Sequence, residues 1–184
     1  MANTYFFTGF PGFIASSLIK QLLYKGYEID HIYLLVLPDF FQKANEEIVK
    51  IAFDENIPRN RFTVITGDIT KPNLHMTPDM IEQLQNEVTH IFHLAAIYDL
   101  AVPKDIAYNV NVNGTKNVNE WVQTLHNLRR YIYFSTAYVS GTREGRINET
   151  ELTMNQTFKN HYESTKYEAE VLVREVMDSV PTTI

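Results

Sequence analysis

Five short apolar runs recur along this chain, separated by stretches of helical pattern, and that alternation limits its fold more than any other feature. "TYFFT" (4–8), "IYLLVL" (32–37), "FTVIT" (62–66), "HIFHLA" (90–95) and "YIYFST" (131–136) are rich in β-branched and aromatic residues. A strand wetted on one face alternates apolar with polar residues; nearly continuous runs suit parallel strands covered on both faces. Between them, apolar residues recur at helical spacing over 13–25, about 39–52, 78–85, about 102–125 and about 159–177. Strand-helix alternation of this kind predicts an α/β fold of right-handed βαβ units, a doubly wound parallel sheet. The expected strand order is 3-2-1-4-5-6, with the first strand-helix loop at the switch point between strands 1 and 4. "VPTTI" (180–184) reads as a sixth strand just begun, so the chain reads as the first domain of something longer.

Charge and composition remove several classes of function. The 184 residues suffice for one domain with a sizeable core. The net charge is -6 with no basic cluster, which argues against a nucleic-acid partner; the pair Arg129-Arg130 reads as a solvated helix end. There is no cysteine, so disulfides and thiolate metal sites are excluded, and a reducing cytoplasm is the expected compartment. The six histidines are scattered, and no metal site is expected. No apolar run approaches the roughly 20 residues of a membrane span, and "MANTYFF" lacks the layout of a signal peptide.

The loop "TGFPGFIA" (8–15) follows the first strand and opens the helix "FIASSLIKQLLYK". A helix N-terminus has free N–H groups and a partial positive charge, so it can hold a pyrophosphate. Gly9 permits the tight turn there, and Gly12 lets the backbone approach phosphates without a Cβ. The third place governs helix-strand packing, and Ala15, in place of glycine, is the next smallest residue.

Later stretches complete a pattern: "GDIT" (67–70), "HLAA" (93–96), "NVNGT" (111–115), "FSTAYVSG" (134–141) and "YESTK" (162–166). Each alone is common. Together, in this order and on these elements, they resemble the extended branch of the short-chain dehydrogenase/reductase superfamily. The resemblance covers almost the whole chain and implies that residues 1–184 form an NAD(P)-binding Rossmann domain. It implies cofactor contacts from Thr8, Gly9, Phe10, Pro11, Gly12, Phe13 and Ile14 in the loop and Leu37 after the second strand. It also implies Asp68 and Ile69 beside the adenine, then Leu94, Ala95, Ala96, Asn111, Ser135, Tyr162 and Lys166. The substrate pocket in this branch is completed C-terminally, so the 184-residue piece is expected to be inactive alone.

Tyr162 and Lys166 lie four apart on a predicted helix and so share one face. A tyrosine with its usual pKa of about 10 is a poor acid-base group near neutrality, and a nearby ammonium favours its phenolate. Tyr162 then gives a proton to an oxygen that receives hydride, with Lys166 setting its acidity. The resemblance adds Thr136 as the hydroxyl that orients that oxygen, with Ser135 as the fallback. Asp99 and Glu149 read as solvated or capping carboxylates.

Within the branch the wording resembles the acyl-thioester reductases, similar to fatty acyl-CoA reductases and to reductase domains that release chains from carrier proteins. That implies an acyl or carbonyl substrate, presented on CoA or a carrier protein, and NADP. The subfamily's arginine after the second strand, which binds the 2′-phosphate, is here Leu37, followed by Pro38 and Asp39. Lys43 is a substitute cation for NADP; Asp39 facing a free ribose hydroxyl makes NAD the alternative. A sugar-nucleotide epimerase or dehydratase, a steroid-type dehydrogenase and a non-catalytic dinucleotide-binding module share the same loop. A homodimer is expected from pairing of the helices near 102–125 and 159–177, with Trp121, Val122 and Leu125 either supplying apolar contacts or facing the sheet.

Overall fold

A computed structural model describes residues 3–184. Six strands, β1 (Asn3–Thr8), β2 (Ile29–Val36), β3 (Phe62–Thr66), β4 (His90–His93), β5 (Arg130–Tyr133) and β6 (Thr182–Thr183), form one sheet. All pairings are parallel and the order is β3-β2-β1-β4-β5-β6, as the alternation predicts. The helices are α1 (Phe13–Tyr24), α2 (Phe41–Asp54), α3 (Pro78–Glu87), α4 (Lys104–Ala107), α5 (Gly114–Val122) and α6 (His161–Glu175).

The near-continuous apolar runs have the expected cause. Side chains alternate across a strand, and each face of this sheet is buried in its own cluster. Tyr5, Phe7, Ile32, Leu34, Val36 and Phe62 pack with Ala15 and Ile19 of α1 and Ala44, Ile48 and Ile51 of α2. Phe6, Tyr33, Leu35, Ile91 and Tyr131 pack on the other side, with Val118, Trp121, Ala169 and Val173 from α5 and α6. Trp121 and Val122 are 4% and 1% exposed, with Trp121 against Phe6 at 4.6 Å between ring centroids. They face the sheet and are not available to a dimer interface. Arg130 opens β5 and Arg129 precedes it, so this pair is not a helix end.

Two departures from the expected elements position the site. β4 and β5 stop at His93 and Tyr133, short of the apolar runs that encode them, because the next residues leave the ladder. The amides of Leu94 and Ala95 instead donate to Thr8 Oγ, at 3.2 and 3.1 Å. The expected helix near 102–125 contains a π-helical stretch, Tyr108–Asn113, between α4 and α5. Such insertions redirect side chains and concentrate at functional sites; here the stretch carries Asn111.

Candidate dinucleotide and catalytic site

Gly9 has φ +86, a left-handed conformation that a side chain disfavours. A Cβ there would also stand 2.8 Å from the Ala95 nitrogen and the Leu94 carbonyl carbon, so the turn lies against the end of β4. Gly12 has an ordinary extended φ of -66 and caps α1. Its Cβ would lie 2.7 Å from the Gly9 carbonyl oxygen, which Gly12 N–H already bonds at 2.9 Å. The two glycines therefore close the loop on itself and leave the N-terminal end of α1 uncovered. That cradle, whose tight closure a Cβ at either place would break, fits a dinucleotide pyrophosphate. Ala15 is 1% exposed in the core between α1 and the sheet, the packing role assigned to the third place.

The loop side chains divide. Phe13 and Ile14 are 86% and 55% exposed at the mouth, and Pro11 is half-buried. Phe10 is buried in the core, and the Thr8 side chain is turned inward. Contrary to expectation, those two can offer only backbone to a ligand.

Beyond β3, Asp68 Oδ1 accepts from Thr70 N–H and Thr70 Oγ–H, both at 2.8 Å, an Asx-turn that stiffens the loop. Ile69 is buried against Gly114, whose Cβ would lie 2.7 Å from Ile69 Cδ1. The Asn117 amide donates to the Ile69 carbonyl at 2.7 Å and ties this loop to α5, a role the sequence reading missed. Leu94, Ala95 and Ala96 are half-buried where β4 ends, and an open cleft of about 740 Å³ starts at Ala96 and continues over Tyr98 and Leu100. Leu37 and Asp39 are exposed just past β2. Asp39 lies inside a short 3₁₀ helix, Pro38–Phe40, whose N-cap position is Leu37, so it is not the cap.

Asn111 is 1% exposed, and its amide is fully engaged. Oδ1 accepts from Ile97 N–H at 2.9 Å, and Nδ2 donates to the Ile97 carbonyl at 3.1 Å and to Thr165 Oγ at 3.0 Å. It acts as a strut between the loop after β4 and α6, and its side chain does not face the open edge as expected for a cofactor contact.

The catalytic candidates gather at the end of β5 and the start of α6. Asn160 caps α6, its Oδ1 accepting from Glu163 N–H at 2.9 Å, while Glu163 accepts from Lys159 N–H at 3.0 Å. This fixes where the helix begins and so where Tyr162 and Lys166 stand. Thr136 Oγ accepts from Tyr138 N–H at 3.3 Å, and its own proton is free of any partner among the described residues. Ser135 instead donates to the Glu170 carboxylate in a short hydrogen bond. Its side chain is committed to α6, which favours Thr136 as the orienting hydroxyl. Tyr162 is half-buried, its ring edge-on to exposed Tyr138 at 6.5 Å between centroids.

Lys166 shares α6 with Tyr162, but its ammonium is turned toward β5. Nζ donates to the Tyr133 hydroxyl and to the Phe134 carbonyl, both at 2.7 Å. Burial pulls its pKa down to about 7, and the field of Glu170 opposes that fall. Glu170 is 3% exposed and holds Arg174 through Nε at 2.9 Å and Nη2 at 2.7 Å. The sequence did carry a signal for this pair, since Tyr162, Lys166, Glu170 and Arg174 follow one another at i,i+4 spacing.

His93 is buried at 1% exposure between these groups and the loop. Thr8 Oγ already accepts two backbone N–H groups, so its single proton goes to His93 Nδ1, 2.7 Å away. His93 is then the Nε2–H tautomer, donating to Thr115 Oγ at 3.1 Å. Burial first, and the Lys166 charge second, lower its pKa to about 3. The unfolded chain binds a proton on this histidine below its ordinary pKa of 6.5, and the folded chain does not. Stability is therefore whole above about pH 6.5 and falls with pH down to about pH 3. The slope from one such group is at most about 1.4 kcal/mol per pH unit. Urea unfolding of the His93→Gln variant between pH 5 and pH 6.5 should show a flatter dependence than wild type by up to that amount.

With this geometry in hand, the relatives are informative. The model of the male sterility protein family matches residues 7–184. The chain belongs to that family. It is 30% identical over 150 residues to a putative fatty acyl-CoA reductase of Drosophila melanogaster, covering 78% of this chain and 28% of the relative. It is 27% identical over 162 residues to the chloroplastic fatty acyl-CoA reductase 2 of Arabidopsis thaliana, covering 80% and 26%. It thus spans little more than a quarter of these curated relatives. Among solved structures, the terminal R domain of the myxalamid PKS-NRPS pathway superposes with a TM-score of 0.83 at 27% identity, covering 100% of this chain and 48% of that one. A UDP-glucuronic acid 4-epimerase of Bacillus cereus solved with NAD shares the fold, with a TM-score of 0.71 at 24% identity, covering 98% and 55%. The fold and family expected from the motifs are those found, and the dinucleotide cradle belongs to them.

Proposed function

We propose that this chain is the dinucleotide-binding part of an oxidoreductase that reduces an acyl thioester, carried on CoA or a carrier protein, to an aldehyde. What supports this is that the Gly9–Gly12 loop after β1 and Thr136 after β5 lie at the same edge of one parallel sheet, with Tyr162 and Lys166 on the α6 that packs there, within a family whose similar members are fatty acyl-CoA reductases. With its pyrophosphate held at the Gly9–Gly12 cradle, a reduced nicotinamide dinucleotide would supply hydride for the thioester carbonyl carbon. Thr136 Oγ–H and Tyr162 Oη–H hold the carbonyl oxygen as negative charge develops on it. Tyr162 transfers its proton to that oxygen, and collapse of the resulting hemithioacetal breaks the carbon–sulfur bond and releases the thiol. Lys166 supports the negative charge left on Tyr162.

The test is cofactor oxidation by the full-length protein with an acyl-CoA, an aldehyde or a UDP-sugar. Consumption with the acyl-CoA and none with the UDP-sugar supports thioester reduction. Consumption with none of the three contradicts it.

The cofactor expected from the resemblance is NADP, but the end of β2 favours NAD. Leu37 stands where a phosphate-binding arginine would be, and Asp39 places a carboxylate beside it. A carboxylate accepts from a free ribose 2′-hydroxyl and repels a 2′-phosphate. Exposed Lys43, on the first turn of α2, is the only lysine or arginine between residues 37 and 49. Calorimetry should give NADH at least about tenfold tighter than NADPH, or about 1.4 kcal/mol. Leu37→Arg with Asp39→Ser should reverse the order. Tighter NADPH binding by the wild type would restore the subfamily's cofactor.

A further inference from the structure

Register sets three polar side chains side by side at the site end of the sheet. Thr8 of β1 pairs with His93 of β4, and His93 pairs with Tyr133 of β5. All three are buried, at 1%, 1% and 2% exposure. Thr8 donates to His93 Nδ1 at 2.7 Å and His93 Nε2–H donates to Thr115 Oγ at 3.1 Å. Thr115, also 1% exposed, lies next to Tyr133, whose oxygen accepts from Lys166 Nζ at 2.7 Å. The row therefore runs, through neighbouring groups, from the strand that bears the glycine loop to Lys166.

We propose that Tyr133 is a positioning residue for Lys166, and that His93 and Thr115 set Tyr133. The proposal rests on the reading of Lys166 as the cation that serves Tyr162. An ammonium on a four-carbon stem rotates freely and has three protons to place. Two acceptors at the end of β5, the Tyr133 hydroxyl and the Phe134 carbonyl, fix two of them and thereby the direction of the third. The Tyr133 ring adds a face contact, 4.3 Å from Nζ to its centroid. Tyr133 is buried with its ring tilted against His93, and the neighbouring Thr115 hydroxyl is the group that would keep its oxygen from turning away. Neutral His93 donates to Thr115 and so orders it without placing a second charge near Lys166. The titratable and charged groups around Lys166 are Tyr162 and Glu170 on its own helix, with Arg174 behind Glu170, His93 on β4 and Tyr133 on β5.

Tyr133→Phe removes the hydroxyl and keeps the ring, including its contact with His93 at 5.6 Å between centroids. The reading is the Lys166 titration, followed by NMR of ¹⁵N-labelled lysine side chains and assigned from the signal missing in Lys166→Met. Losing an acceptor of the charged form should lower the midpoint by at least about one pH unit, a tenfold loss of proton affinity. Thr115→Val, which leaves Tyr133 in place but unheld, should shift it the same way by at least about twofold in affinity, and it carries the test if Tyr133→Phe does not fold. A midpoint unmoved or raised in the folded variants makes Tyr133 a packing residue only and overturns the proposal. The titration does not depend on turnover. Retained reductase turnover in Tyr162→Phe would refute the catalytic reading while leaving this result to stand or fall separately.

Discussion

Tyr162→Phe should lower aldehyde and thioester turnover by the full-length protein by at least about a hundredfold, with dinucleotide affinity nearly unchanged. General acid catalysis by a positioned group contributes about 10² to 10⁴ in rate, and this substitution removes the proton while keeping the ring. The ring matters for packing, since it sits edge-on to Tyr138. Circular dichroism melts should therefore be close to wild type. Single-turnover kinetics separate the chemical step from product release. Most of the wild-type rate surviving in that step would show that another group supplies the proton.

Gly9→Ala should produce the largest loss of stability in the loop. A left-handed φ costs an alanine about 1–2 kcal/mol. The added Cβ would also meet backbone atoms of Leu94 and Ala95, which cannot rotate aside as a side chain would. Overpacking adds about 1–3 kcal/mol. For a chain of this size the sum should lower the melting temperature by roughly 5–15 °C. Because β4 and the loop must move apart, dinucleotide affinity should fall at least about tenfold. Gly26→Ala is the control, for Gly26 also has a positive φ, +71, but nothing lies within 4 Å of its Cβ. It should show only the backbone cost and leave binding intact. Equal losses in the two variants would mean that the contact with β4 is unimportant.

The layering was legible in the sequence because it rests on local rules. A run such as "TYFFT" must bury both faces, and it does, with Tyr5 and Phe7 on one side and Phe6 on the other. The loop was legible too, since only glycine suits Gly9. Side-chain commitments were not. Whether Ser135 or Thr136 is free depends on Glu170, thirty-five residues further on, and motif spacing carries no record of that bond. Asn111 and Thr8 occupy motif positions, yet their side chains join elements together and do not line the edge. The π-helical stretch breaks the 3.6-residue period for six residues, too short a lapse to register as a change of apolar spacing. The partner of Lys166 was hidden for the same reason. Helical spacing pointed to Tyr162, and only the packing of α6 on the end of β5 shows the ammonium on the Tyr133 hydroxyl and the Phe134 carbonyl.

The most direct measurement follows the hydride itself. The full-length protein is given an acyl-CoA with dinucleotide carrying deuterium at the transferable position of the nicotinamide ring, and the aldehyde is analysed by mass spectrometry. One deuterium on the aldehyde carbon, with stoichiometric release of free thiol, is the predicted result. An aldehyde without deuterium, or thiol release without any aldehyde or alcohol, would contradict reduction of a thioester by hydride transfer at this site.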